Sequence, residues 1–257
     1  MFFNLRKWYL DCVTPGGDVF IGYWARLQLG PVAVSFCSRI QDGRPARTSF
    51  AATEEPLARG GGLRWSCPPL GVQGLWTGLH PPLDLRLHEH RDRPLLWNCL
   101  QPASAVALGL DGNAPFAAEG YAECLELAFP PRHLPLEELR WGRFVSGGAS
   151  LVWIDWRGPR PATWVALDGR VVPGGRVEEG RISLPGAALT FAAEDQLTIR
   201  DEPLLAPELA RIPGLGALLP PALRAARERK WRARGTFHRD GAPPCAGWII
   251  HEVVRCP

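Results

Sequence analysis

Two carboxylic acids stand among large apolar side chains near the middle of the chain. If residues 120–129 form a strand, alternation places Glu123 on one face with Tyr121, Leu125, Leu127 and Phe129. In residues 151–157 the same alternation groups Asp155 with Leu151 and Trp153. Because burial among apolar groups favours the neutral form of a carboxyl group, either residue could hold a proton for transfer to a substrate. The sequence therefore predicts Glu123 and Asp155 as catalytic acids.

Arg143 gives both acids an alternative, structural role. Within residues 139–144 it shares a face with Trp141. A guanidinium group in that place could neutralise either carboxylate as a buried ion pair. The residues alone leave the working acid and the structural pair open.

Two histidines have a spacing that would let them share a metal ion. His88 and His90 fall on the same face of an alternating segment, residues 83–92. That face also carries Asp84, Arg86 and Asp92, as is typical of a solvated strand, and no third ligand can be assigned. We therefore predict no metal and no cofactor.

Short strands must position these residues. The chain of 257 residues contains 28 Gly, 26 Pro and 11 Trp but one Met, a composition typical of many strands joined by turns. Apolar alternating segments recur at regular intervals, beginning with a hairpin over residues 8–29. This pattern predicts an all-β protein with two consecutive calycin-like (lipocalin-like) antiparallel barrels or sandwiches, over residues 1–157 and 158–257.

One segment is predicted to be helical. Residues 221–234 begin with Pro, contain good helix formers and are followed by Gly235. The segment carries six basic side chains beside a thin apolar stripe of Leu223 and Trp231. It could cover the open end of a barrel or, as the weaker alternative, contact a membrane surface.

Charge, cysteines and absent motifs restrict the function. The net charge of +3 is too small and scattered to favour nucleic acid as a partner. Seven widely spaced cysteines without a CxxC pair indicate reduced thiols. No signal peptide, no apolar run of membrane-spanning length, and no nucleotide-binding or serine-hydrolase motif is present. We therefore expect a cytoplasmic protein that acts on a small molecule, with its oligomeric state left open.

Several short motifs together carry a family resemblance. They are Gly-Tyr-Ala-Glu at 120–123, Leu-Arg-Trp-Gly-Arg at 139–143, Trp-Ile-Asp at 153–155, Arg-Gly at 234–235 and Gly-Trp-Ile-Ile-His-Glu at 247–252. With them the chain resembles the hydroxyneurosporene synthase (carotenoid hydratase) family and its lipocalin-like relatives, which include AttH-type proteins and fungal Diels-Alderases.

The resemblance implies water addition to, or cyclisation or isomerisation of, a polyene, isoprenoid or polyketide-like substrate. Glu123 or Asp155 would be the acid, and the substrate-binding residues would be Tyr121, Trp97, Trp141, Arg143 and Trp153. Cys124 and the residues after it depart from the family, whose hydratases continue with histidine and asparagine, so hydration is less supported than cyclisation. The alternatives are a non-catalytic carrier of a hydrophobic molecule and a structural module that binds another protein.

Overall fold

The computed structural model describes residues 2–51, 54–203 and 225–256. The chain divides into two compact units, Met1–Pro130 (unit 1) and Pro131–Pro257 (unit 2). Each unit contains one ten-stranded antiparallel sheet. The predicted all-β class with two consecutive calycin-like domains is confirmed.

Unit 1 contains the first ten strands and a 3-10 turn at Pro68–Leu70. The strands are β1 (Phe3–Val13), β2 (Val19–Leu29), β3 (Val32–Gln41), β4 (Arg47–Ser49), β5 (Leu57–Arg59), β6 (Gly62–Cys67), β7 (Val72–Gly78), β8 (Leu83–His90), β9 (Arg93–Leu110) and β10 (Phe116–Leu127).

Unit 2 contains the second ten strands and a 3-10 turn at Pro131–His133. The strands are β11 (Glu138–Ser146), β12 (Ala149–Arg157), β13 (Ala162–Leu167), β14 (Arg170–Val171), β15 (Arg176–Glu178), β16 (Arg181–Leu184), β17 (Ala187–Thr190), β18 (Leu197–Pro203), β19 (Arg227–Arg239) and β20 (Cys245–Arg255).

The two sheets share one topology. In unit 1 the strand order is β4-β3-β2-β1-β10-β9-β7-β6-β5, with β8 paired to β9. In unit 2 the order is β14-β13-β12-β11-β20-β19-β17-β16-β15, with β18 paired to β19. Each strand of unit 2 therefore takes the place of the strand ten earlier, so positions in the two units can be compared strand by strand.

Large side chains fill the interior of unit 1. Gly22 on β2 lies against Trp65 on β6, where an added Cβ would come within 2.3 Å of the indole. Because these strands are far apart in the sheet order, their contact shows that the sheet curls into a half-barrel. Its core includes Trp8, Trp24 and Trp76, each at most 5% exposed. Burial of such side chains contributes about 1.5–3 kcal/mol each to folding.

An ion pair between buried Arg39 and exposed Asp111 joins two parts of the unit 1 sheet. Arg39 on β3 donates to both carboxylate oxygens of Asp111 at 2.8 Å, and to the carbonyl oxygen of Leu70 at 2.7 Å. Hydrogen bonds from Arg39 hold the pKa of Asp111 below its ordinary value. The ion pair thus connects β3 with the turn between β9 and β10.

Two expectations from the sequence need correction. The boundary lies earlier than residue 157, because β11 and β12 pair with β20 and β13 in the second sheet. The predicted helix is wrong over residues 227–234, which belong to β19, and residues 221–224 lie outside the described part. Hydrogen bonding to β20 along the whole of β19 outweighs the helix propensity of these residues. In the described ranges no helix is long and apolar enough to span a membrane.

Candidate ligand site in the second unit

Side chains on one face of four neighbouring strands of unit 2 form rows. Because β12, β11, β20 and β19 are antiparallel neighbours, paired residues lie side by side across the sheet. The floor row is Leu151, Phe144, Ile249 and Ala233. The middle row is Trp153, Gly142, His251 and Trp231. The third row is Asp155, Arg140, Val253 and Arg229, and the rim row is Arg157, Glu138, Arg255 and Arg227.

The floor row lies in the apolar core, and a cavity lies above it. The cavity has a volume of about 570 Å³, within the range of small-molecule sites. Its apolar lining comes from the middle row and from β15, β16 and the segment after β17: Trp153, Trp231, Val177, Ile182 and Phe191. The space is thus walled by aromatic and aliphatic groups at its base and opens among charged groups.

Gly142 makes room for the middle row. An ideal Cβ at this residue would lie 2.1 Å from Cζ2 of Trp153 and 2.8 Å from Cβ of His251. Any side chain here would therefore displace the Trp153 indole. In unit 1, β1 takes the place of β11, and its residue Trp8 pairs with Trp24 and Cys124 and is buried in the core.

His251 is the polar group of the middle row. Its ring stacks on Trp231, with centroids 5.0 Å apart and planes at 20°, and lies 5.1 Å from the Phe191 ring. Its Nε2 atom is buried without a hydrogen-bond partner in the described residues. Desolvation lowers the pKa of His251 to about 4, so the imidazole is neutral at neutral pH. A neutral imidazole nitrogen of this kind can pair with a polar group of a ligand.

Arginine–carboxylate pairs surround the opening. Glu138 accepts hydrogen bonds from Nε of Arg140 at 2.7 Å and Nε of Arg255 at 2.9 Å. Burial alone would raise the pKa of Glu138, but these hydrogen bonds outweigh it and hold the pKa below its ordinary value. Asp201 on β18 accepts from Arg227 and Arg229, both at 2.9 Å, which lowers the pKa of Asp201.

The predicted residues Trp153, Trp141 and Asp155 belong to this region. Trp153 lines the cavity from the face of Gly142. Trp141 also borders the cavity but lies on the other face of β11, where its ring centroid is 6.0 Å from Nζ of Lys230. Asp155 lies one row above Trp153, where it pairs with Nε of Arg157 at 2.7 Å and accepts a 2.7 Å hydrogen bond from Thr163. Alternation along the sequence correctly predicts that Asp155 lies on the same face as Trp153, but the ion-pair partner of Asp155 is Arg157.

Arg143 lies on the other face of β11 from Gly142. It is fully buried and donates to the carbonyl oxygen of Trp248 at 3.1 Å. The register of β11 with β20 places Arg143 opposite Ile250. Arg143 is not among the residues that line the cavity.

The other predicted residues meet in unit 1. Glu123 accepts hydrogen bonds on its Oε2 atom from the Tyr121 hydroxyl at 2.5 Å and from Nε1 of Trp97. Desolvation, with the nearby Cys99 and Glu123, raises the pKa of Tyr121 well above its ordinary value. Tyr9 lies opposite Glu123 in the register of β1 with β10, and its hydroxyl group donates a hydrogen bond to Asp11 at 2.9 Å. Two donors on one carboxylate oxygen stabilise its charged form.

The two histidines considered as metal ligands pack on an aromatic ring. The centroids of His88 and His90 lie 5.8 and 5.7 Å from that of Phe129. Across the described ranges, no group of three His, Cys, Asp or Glu side chains is placed to hold a metal ion.

Sequence reasoning missed three residues of the cavity wall. His251 enters the sequence analysis only within the motif at 247–252, and Phe191 does not enter it. Trp231 lies in the predicted helix, although Trp231, Ala233, Gly235 and Phe237 alternate with Lys230, Arg232, Arg234 and Thr236. That period of two could have revealed β19 and its inward-facing indole.

The fold and the site define a class, a tandem pair of lipocalin-like half-barrels with an aromatic-lined cavity in the second. No protein-family model and no curated protein matches the sequence. The fold is similar to that of a Nitrosomonas europaea protein provisionally assigned as an AttH. The TM-score is 0.56 at 13% identity, over 98% of this chain and 92% of that one.

Two further solved structures are similar. These are CghA and CghA with Sch210972, with TM-scores of 0.56 and 0.55. Both are 10% identical to this chain, over 98% of its length and 88% of theirs. At these identities the likeness establishes the fold, while the site must be argued from its own residues.

Proposed function

We propose that the protein is an enzyme that binds a flat, largely apolar small molecule in the unit 2 cavity and promotes its cyclisation or isomerisation. The observation that carries this proposal is an aromatic cavity of about 570 Å³ with a buried imidazole nitrogen that has no hydrogen-bond partner among the described residues. A polyene, isoprenoid or polyketide-like compound has the shape and polarity that such walls accept.

The aromatic walls can do more than exclude water. The faces of Trp153 and Trp231 carry negative quadrupole potential, which stabilises positive charge that develops on a conjugated substrate. They also hold an extended molecule in a folded conformation, which removes part of the entropic barrier to ring closure. His251 would orient the substrate by a hydrogen bond to its carbonyl or hydroxyl group.

Hydration begun by alkene protonation has weaker support. That reaction needs a loaded proton donor. Glu123 accepts two hydrogen bonds on one oxygen, Asp155 is held by Arg157 and Thr163, and neither residue lines the unit 2 cavity. Cyclisation or isomerisation does not require Glu123 or Asp155 to donate a proton. It is also the reaction class that remains compatible with Cys124 and the following residues, which stand where the family's hydratases have histidine and asparagine.

The proposal can be tested with a fluorescent polyene. The probe 1,6-diphenyl-1,3,5-hexatriene should bind the cavity and gain fluorescence. Chromatography with mass spectrometry would then detect an isomer of unchanged mass, or a hydrate heavier by one water. Trp231→Ala should weaken binding of this probe. With a polyene that carries a hydroxyl group, such as retinol, His251→Ala should reduce turnover more than binding, because His251 acts through that polar group. The matched control is His238→Ala, an exposed histidine of the same strand system that should change neither.

A carrier is the second candidate. It is favoured by the finding that Glu138, Asp155 and Asp201, the acids around the opening, are held in ion pairs, since a carrier needs no loaded acid. Binding of the polyene without any chemical change would support the carrier, while the absence of binding would contradict both functions.

A further inference from the structure

We propose that the natural ligand is amphipathic and carries a carboxylate, which binds at the arginines around the opening of the unit 2 cavity. This inference rests on the proposed ligand-binding function and adds the chemical class of the ligand. The third and rim rows carry the argument.

The arginines of these rows outnumber the carboxylates with which they pair. Five guanidinium groups, those of Arg140, Arg157, Arg227, Arg229 and Arg255, share three acids, Glu138, Asp155 and Asp201. Each guanidinium group has five N–H donors arranged to match a carboxylate. The acids present cannot use all of these donors.

The spare donors belong to three side chains. Within the described residues, Arg140 and Arg255 contact Glu138, and Arg229 contacts Asp201, each through its Nε atom. Their terminal nitrogens remain available to a ligand. Arg157, by contrast, uses Nε, Nη1 and Nη2 for Asp155, Glu138 and the carbonyl oxygen of Val177.

The rows also set the distance between the two ends of the ligand. Arg140 and Arg229 stand two residues along their strands from Gly142 and Trp231. Two residues of a strand span about 7 Å. A ring stacked in the middle row and a carboxylate at these arginines should therefore be joined by a short chain of roughly three or four carbons.

The opposite wall has the opposite charge. Glu178 and Glu179, at the end of β15, are exposed and also line the cavity. Their carboxylates would repel an anion on that side. The ligand's acidic group is therefore expected on the side formed by β11, β19 and β20.

A matched pair of probes tests this inference. Isothermal titration calorimetry of the full chain would compare 4-(2-naphthyl)butanoic acid with 4-(2-naphthyl)butan-1-ol, which differ only in the charged end. A charge-assisted hydrogen bond corresponds to an affinity difference of about 10- to 100-fold, and we expect the acid to bind tighter by that factor.

Arginine variants locate the carboxylate. Arg229→Met changes an exposed side chain, and Arg140→Lys keeps the charge but loses the planar fork. Both should weaken binding of the acid more than binding of the alcohol, and so reduce the preference for the acid. Arg181→Met, an exposed arginine of β16 outside the cavity, should keep the full preference.

The outcomes separate the two proposals. Equal affinities of acid and alcohol, or an acid preference that survives both arginine changes, would overturn the carboxylate site while the cavity function stands. If neither probe binds, the proposed cavity function itself is refuted.

Discussion

The substitution Gly142→Ala tests whether the unit 2 cavity depends on the missing side chain. The added Cβ would lie 2.1 Å from Cζ2 and 2.5 Å from Cε2 of Trp153, both far inside van der Waals contact. The indole must therefore move, and the open direction is into the cavity. We expect both lower stability and weaker ligand binding.

The magnitude follows from two opposing effects. A Gly→Ala change without strain stabilises a protein by about 0.4–1 kcal/mol, because it restricts the unfolded chain. Overpacking of a well-packed region costs about 1–3 kcal/mol. The control is Gly148→Ala in the β11–β12 turn, where an added Cβ meets no atom within 4 Å. Gly142→Ala should thus be less stable than Gly148→Ala by about 1–3 kcal/mol.

Urea unfolding followed by circular dichroism would measure this difference, and calorimetry with the naphthyl acid would measure binding. The clash should be relieved by Trp153→Leu, so the cost of Gly142→Ala should fall in that background, as a double-mutant cycle would show. If Gly142→Ala matched Gly148→Ala in both stability and ligand affinity, the proposed origin of the cavity would be wrong.

Two further predictions concern buried charge. The folded state lowers the pKa of His251 to about 4, while the imidazole of the unfolded chain binds a proton near pH 6.5. The free energy of unfolding should therefore decrease as the pH falls from 6.5 to 4, by roughly 3 kcal/mol in total. His251→Phe should flatten the curve of stability against pH in this range. Carboxyl groups with lowered pKa values, such as Glu138, affect stability only below about pH 4.5. An unchanged slope in the variant would contradict the lowered pKa of His251. Lys230, 1% exposed, pairs with Glu228 at 2.9 Å and Glu252 at 2.6 Å. Lys230→Met should therefore cost about 3–5 kcal/mol in urea unfolding, and a loss under 1 kcal/mol would show that the network is not buried as described.

Alternation along single strands was enough to predict several features of the site. Tyr121 and Glu123 are indeed neighbours on one face, joined by a hydrogen bond, and Asp155 does follow Trp153 toward the opening. These relations depend only on a period of two, which the local sequence contains. The partners of the acids could not be predicted this way, because they come from neighbouring strands whose register is a property of the sheet.

The errors have the same origin. Residues 227–234 consist of good helix formers, yet they form β19 because β20 and β18 supply backbone hydrogen bonds along it. The predicted boundary at residue 157 separated β12 from β13, its partner in the sheet. In both places non-local pairing prevailed over local preference.

By itself the sequence determined the all-β class, the tandem arrangement and the face on which each candidate side chain lies, since these follow from composition, turn residues and alternation. Tertiary structure alone decided that a cavity lies above the floor row of unit 2. Its shape depends on Gly142 and on the indole of Trp153 that crosses the glycine. A cavity is the space left between side chains from distant segments, and no single segment contains it.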